Sequence, residues 1–156
     1  MKRVLAALCL LLSPRCGAEE GTIPKPDPSS YNLCAGCHGL DGTGMKVGDL
    51  KLAPSLLESP IVKGDPEWFA LVVLKGITKE SDTHLEFMVP QELSLDDTQL
   101  ATVLNFVRSE YGGKAAPVSV EQIAAIRAKY KDMTDSITRA KLAELAKAKE
   151  TPKATP

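Results

Sequence analysis

Five consecutive residues, Cys34-Ala35-Gly36-Cys37-His38, bring two thiols and an imidazole together. On a helical turn, residues three apart share a face. Cys34 and Cys37 can therefore reach the same edge of a porphyrin, and His38 can turn its imidazole onto the iron. The spacing C-x-x-C-H is the mark of covalent c-type haem attachment. Gly36 has no Cβ, so a flat ring can lie close to the backbone there. A zinc site needs four ligands, whereas beyond the amino-terminal stretch the chain offers only these three and His84. Adjacent Cys37 and His38 would also crowd one tetrahedral ion. A dithiol redox pair calls for a βαβ setting, and no strand-helix-strand pattern is present.

The 156 residues suffice for one modest domain with extensions. Aromatic residues make up only 4% of the chain, too few for an ordinary core of this size; a porphyrin would fill that space. Residues 1–18 read as a signal peptide: Lys2 and Arg3, then an apolar run from Val4 to Leu12 too short to span a bilayer, then small residues ending at Ala18. Cleavage there removes Cys9 and Cys16, and the mature chain has no transmembrane helix. A lipid anchor on Cys16 is the rival, but Arg15 departs from the small residue that lipoproteins carry before the cysteine. The address expected is periplasmic.

Loss of three basic residues with the leader takes the net charge from −1 to −4. From Glu19 to Ile126 there are eight basic and sixteen acidic residues, and from Arg127 onward eight basic and four acidic. The tail is either a solvated surface or an electrostatic docking element. Nucleic acid is not an expected partner, because the basic residues are diluted by alanine and lack interleaved aromatics.

The elements that must hold the motif follow in order. Residues 19–26 form a proline-rich linker, extended and semi-rigid. Asp27 and Pro28 then cap and open a helix that runs into Cys34. Gly39 to Gly48 reads as loop. Its glycines lack the lysine of a P-loop and the preceding strand of a dinucleotide fold. Asp65-Pro66-Glu67 opens a second helix closed by Gly76. On it, Trp68 offers its indole N–H to a haem propionate or serves as a wall residue. Ile77 to Glu86 is polar and loop-like. From Ser94 a cap, two acids and then Leu100, Val103, Leu104, Val107 and Tyr111 mark a long helix stopped at Gly112-Gly113. Ser119 with Gln122 signals a capping box. Asp135 to Lys149 reads as an Ala/Lys-rich helix with only Ile137, Leu142 and Leu145 to bury. The domain of interest is therefore placed at 27–130. Residues 131–156 are a helical extension with a disordered end, expected to pack loosely.

Several stretches resemble a class I bacterial cytochrome c, of the single-haem kind associated with periplasmic dehydrogenases. They are the run from Cys34 to Gly44, Ala53-Pro54-Ser55-Leu56, Gly64-Asp65-Pro66, Leu74-Lys75-Gly76, Met88-Val89-Pro90 and the helix from Leu95 to Gly112. Together they span Tyr31 to Tyr130. The resemblance implies an all-α fold wrapped around one covalent haem c, with Tyr31 against the last core helix. It also implies that the Pro54 carbonyl accepts from the second ring nitrogen of His38, that Leu56 packs on the ring and that Met88 is the sixth iron ligand. Val89, inserted before Pro90, departs from the family's Met-Pro turn. His84 competes with Met88 as ligand; otherwise it is a solvent-facing loop histidine.

No nucleophile–base pair or paired carboxylates stand out, so the expectation is an electron carrier and not an enzyme. His/Met ligation closes the distal site and raises the potential. Expected donors are a dehydrogenase or a quinol-oxidising complex; expected acceptors are an oxidase, a reductase or another cytochrome. The alternatives are a gas sensor or peroxidase-like protein with a labile sixth site, and a cytochrome subunit docked permanently on a dehydrogenase.

Overall fold

Asp27 stops the extended amino-terminal stretch by accepting the Ser29 N–H (2.9 Å), and Pro28 takes the first helical position. A 3-10 turn over Pro28–Tyr31 leads into α1, Asn32–His38, which ends at Gly39. The structure is a computed structural model that describes residues 21–57, 59–79, 84 and 87–150. The expected signal peptide, Cys16 and the expected disordered end lie outside the described residues. Among those described, no helix is long and apolar enough to cross a membrane.

The glycine loop after α1 is not loop throughout. Lys46–Val47 (β1) pairs antiparallel with Leu50–Lys51 (β2), and Gly48 in the turn has φ 60°. Two residues per strand leave no alternation to read, so sequence pattern could not reveal this ribbon. The Gly44 N–H donates to the His38 carbonyl (2.8 Å) and the Met45 N–H to that of Cys37 (2.9 Å), folding the loop back on the motif.

Ser59 caps a single turn, α2 (Pro60–Lys63), and Asp65 caps α3 (Pro66–Lys75). The next helix, α4 (Asp97–Glu110), starts two residues later than Ser94 implied. Asp96 accepts the Gln99 N–H while the Gln99 side chain reaches back to the Asp96 N–H, and this reciprocal box outcompetes a lone serine. Ser119 and Gln122 form the second capping box and open α5 (Val120–Lys129). The last helix, α6, covers Arg139–Glu150.

α4 is the hub: it packs on the Pro28–Tyr31 turn, on α5, on α2 and on α3. Its apolar stripe buries Leu100, Val103, Leu104 and Val107 against Leu71 and Leu74 of α3 and Ile123 of α5. Tyr31 lies 5.4 Å, ring to ring, from both Phe106 and Tyr111, which are nearly perpendicular to each other. Its position against the last core helix is as expected. Two buried polar residues of α4 satisfy loop backbone. Asn105 donates to the Val118 and Pro24 carbonyls and accepts the Val118 N–H. Arg108 donates to the carbonyls of Val62, Gly64 and Ala116. The proline-rich stretch is thus tied down at Pro24, and the Val120 N–H donates to the Thr22 carbonyl.

The expectation of a loosely packed extension is overturned. Ile137 and Leu142 are 2% and 5% exposed and belong to the core cluster. An isolated helix of this length is marginal in water, but this one is tied at both ends. Just before its start Ile137 pairs with Gly76 and Thr78 through backbone hydrogen bonds, and Lys149 Nζ meets Asp65 (2.5 Å) and Glu67 (2.7 Å) near its end. Three of the basic residues after Ile126 therefore pair with acids on or capping α3 and α4. Lys129 and Lys149 converge on Glu67, and Arg127 pairs with Asp97 and donates to the Glu92 and Leu95 carbonyls.

These ties can be tested through pH and through the backbone. Burial alone would raise the Glu67 carboxyl, but Lys129, Lys149 and the Tyr130 hydroxyl outweigh it and hold it at about 2 against an ordinary 4.5. Its stabilisation is complete above pH 4.5 and is lost as pH falls through about 2. Melting temperature against pH should therefore fall along this acid limb, and Glu67→Gln should start lower and flatten it; an unchanged acid limb would refute the linkage. At Gly76 (φ 70°) an added Cβ would collide with the Met88 carbonyl oxygen and lie 2.8 Å from Pro90 N. Gly76→Ala should destabilise by roughly 1–3 kcal/mol or more, measured by denaturant unfolding of the haem-loaded protein.

Candidate haem site

α1 carries Cys34 and Cys37 one turn apart, as free thiols. Cys34 is half-buried against the core, and burial, with Cys37 next to it, pushes its thiol pKa up; Cys37 is exposed. A Cβ built on Gly36, between them, would meet nothing within 4 Å, so the backbone there is open to a flat group. On the loop that follows, Met45, Val47, Leu50 and Leu57 present apolar side chains outward.

His38 ends α1. Its Nδ1 is buried without a hydrogen-bond partner, the one such side-chain atom among the described residues. Burial lowers the ring's proton affinity and keeps it neutral, and the Pro54 carbonyl nearby partly opposes that. This carbonyl lies close enough to act on the ring but outside hydrogen-bond geometry. An orphaned buried nitrogen costs about 1–3 kcal/mol, and ligand histidines commonly give their second nitrogen such an acceptor. Paired reduced thiols, open backbone at Gly36 and a neutral imidazole facing Pro54 make a donor set that fits haem c. Among the described residues, no three His, Cys, Asp or Glu side chains converge as a metal cage.

Leu56 is half-buried against the core, and its N–H donates to the Gly42 carbonyl (2.8 Å), which holds Pro54-Ser55-Leu56 beside the glycine loop. Trp68 packs partly into the core, and Lys149 Nζ lies 5.5 Å above its ring. This contact ties Trp68 to α6, a partner the sequence did not indicate.

Met88 is half-buried and its backbone is pinned. Its N–H donates to the Ile77 carbonyl and the Ile77 N–H donates to its carbonyl, both at 3.0 Å. Just beyond, the Gln91 and Glu92 N–H groups cap the end of α3 at the Val73 and Leu74 carbonyls. The ammonium of buried Lys75 meets Glu92 at 2.6 Å. The loop is thus held along its length by the end of α3. The approach at Met88 and Pro90 requires a glycine at 76.

His84 is not solvent-facing. It is 5% exposed and forms a parallel bridge with Lys51 of β2. Burial, with Arg139 and Lys79 nearby, lowers its pKa, so its imidazole is neutral at pH 7. The isolated histidine in a polar stretch gave no sign of this, because the cover comes from elements distant in sequence. Ile77 was also missed as a positioning residue; the only signal was its place directly after a helix-ending glycine.

The cytochrome c family profile matches residues 29–110. The chain is 32% identical over 102 residues to the fructose dehydrogenase cytochrome subunit of Gluconobacter japonicus, covering 62% of this chain and 20% of that protein. It is 27% identical over 137 residues to a cytochrome c-552 of Thermus thermophilus, covering 83% of this chain and 88% of that one. A second Thermus thermophilus cytochrome c-552 is 27% identical over 107 residues, covering 64% and 82%. With the largely helical architecture and the thiol–imidazole site, these matches identify the chain as a member of the cytochrome c family, an electron-transfer protein and not an enzyme, whose haem c is bound covalently through Cys34 and Cys37.

Proposed function

We propose that the chain is an exported single-haem carrier in which His38 and Met88 would hold the haem iron. It would take electrons from a periplasmic dehydrogenase or quinol-oxidising complex and pass them to an oxidase, reductase or second cytochrome. The observation that carries this reading is the pinned Met88 loop: paired backbone bonds to Ile77, with Gly76 admitting the close approach, give a thioether a fixed address. When bound, haem supplies iron that alternates between ferric and ferrous forms, and a thioether ligand favours the ferrous one. The chain's own part is to hold still. His38 stays neutral through burial, and the nearby Pro54 carbonyl would accept a hydrogen bond from its Nδ1 in the haem-loaded protein. The loop from Met88 to Glu92 is anchored on α3. Pro54, Leu56 and Trp68 are assigned to the haem surround. The basic leader with its apolar run supports export.

A permanently docked role is a second reading. It is favoured by the similarity to a dehydrogenase's cytochrome subunit, although the matched stretch is a fifth of that protein. Co-purification with a dehydrogenase from the native host separates the two.

Met88→Ala should abolish the weak near-infrared sulfur-to-ferric-iron band, admit CO to the ferrous form and lower the reduction potential, whereas His84→Ala should leave the band intact. The opposite pattern would move the ligand to His84, and CO binding by the unaltered ferrous protein would favour a sensor or peroxidase-like function. For a free carrier with sixteen acidic and eight basic residues between Glu19 and Ile126, stopped-flow reduction by a basic donor should slow as salt rises, because screening at about 8–10 Å removes steering. A flat dependence would point to an apolar contact.

A further inference from the structure

Ile77 is hydrogen-bonded through both edges of its strand. On one edge, its own N–H and carbonyl pair antiparallel with Met88. On the other, the flanking groups pair parallel with the carboxy-terminal segment. The Ile137 N–H donates to the Gly76 carbonyl (3.1 Å), and the Thr78 N–H donates to the Ile137 carbonyl (3.0 Å). The result is a three-strand array one residue wide, in the order Ile137, Ile77, Met88. A strand pinned on one edge alone is free to swing out with its partner. One pinned on both edges holds the loop to the rest of the molecule.

We propose that the segment around Ile137 is a strut that positions the Met88 loop, and with it the sixth ligand of the haem iron. This rests on the reading of Met88 as ligand. The strut is itself braced. Ile137 and Leu142 are buried in the core. Separately, Lys149 pairs with Asp65 and Glu67 and lies over Trp68, which fastens the far end of α6 and not the Ile137 pairing. The tail therefore runs from the carboxy-terminal end of α3, at Gly76, to its amino-terminal end, at Asp65. Without Ile137, the Gly76 carbonyl and Thr78 N–H lose their partners and Ile77 becomes an edge. Opening of the Met88 loop then costs less, because the array no longer has to be torn from a buried side chain.

Added imidazole reads this opening directly. It occupies the sixth site only in molecules whose loop is open, so its apparent affinity rises in proportion to the open fraction. The ferric, haem-loaded full chain is titrated with imidazole, following loss of the sulfur-to-iron band. Ile137→Pro removes the donor to Gly76 and should raise the apparent affinity roughly tenfold, the worth of one or two backbone hydrogen bonds. Lys149→Ala cuts the remote ion pairs and leaves the Ile137 pairing in place. It should lower the melting temperature and leave the affinity unchanged, a separation that a merely stabilising tail would not give. Should the proline variant fail to take up haem, Ile137→Gly decides by the same titration, with a smaller rise expected. Met88→Ala serves as reference: a band that survives it overturns the ligand reading, and the strut's role with it. A band lost in Met88→Ala with unchanged affinity in the Ile137 variants overturns the strut alone.

Discussion

No side chain can occupy position 76 as the chain is folded, and the arrangement of the distal half follows from that constraint. The φ of 70° lies where residues with a Cβ are strained, and the Met88 carbonyl stands where the Cβ would be. α3 therefore ends abruptly, and Ile77 leaves in a direction that puts its N–H and carbonyl against Met88. Between α3 and α4, Phe87, Val89 and Leu93 stay exposed while Ile77, Met88 and Leu95 are only partly buried, so backbone hydrogen bonds carry much of the cost of ordering the described residues there. Those bonds come from the end of a helix, where the Val73 and Leu74 carbonyls need partners in any case. One glycine thus makes the unsatisfied end of α3 and the polar loop satisfy each other.

The proximal half is organised differently, by packing around α4. Its apolar face meets α3 and α5, and the aromatic trio of Tyr31, Phe106 and Tyr111 locks the start of the motif helix to its end. Asn105 and Arg108 interrupt this helix's apolar pattern, yet both are buried with their side-chain hydrogen bonds going to backbone. They take up carbonyls from the proline-rich stretch, from α2 and from the connection to α5, segments too short or irregular to satisfy one another. Truncating either would leave several buried carbonyls without a donor.

Much of this was legible from the residues. Asp65-Pro66 and the pair Ser119 and Gln122 announced their helices because capping chemistry is local. So was the thiol–imidazole run, whose spacing carries its own chemistry. What escaped notice was non-local. Ile137 read as one of three apolar residues on a loosely packed helix, whereas it lies before α6 and its burial goes with a backbone pairing to Gly76 and Thr78 far away in the chain. His84 looked exposed for the same reason: its cover is a bridge to Lys51, with Arg139 nearby. The start of α4 was misplaced because Ser94 and Asp96 are both good caps, and only the reciprocal Gln99 contact distinguishes them. Basic residues in the tail read as surface charge, whereas their partners, Asp65, Glu67 and Asp97, lie on α3 and α4 or cap them.

The two histidines show how burial alone fails to identify a ligand. Both rings are held neutral by desolvation, so both have a lone pair to offer. At His84 the cationic neighbours Arg139 and Lys79 add to that effect, and they would also oppose a further positive charge arriving beside the ring. At His38 the second influence has the opposite sign: the Pro54 carbonyl favours a proton on the ring and leaves Nδ1 as a buried donor in want of an acceptor. In general, an acceptor on one ring nitrogen of a histidine makes the other a better electron donor to a metal. Neutrality is common to both, but only His38 adjoins the two thiols.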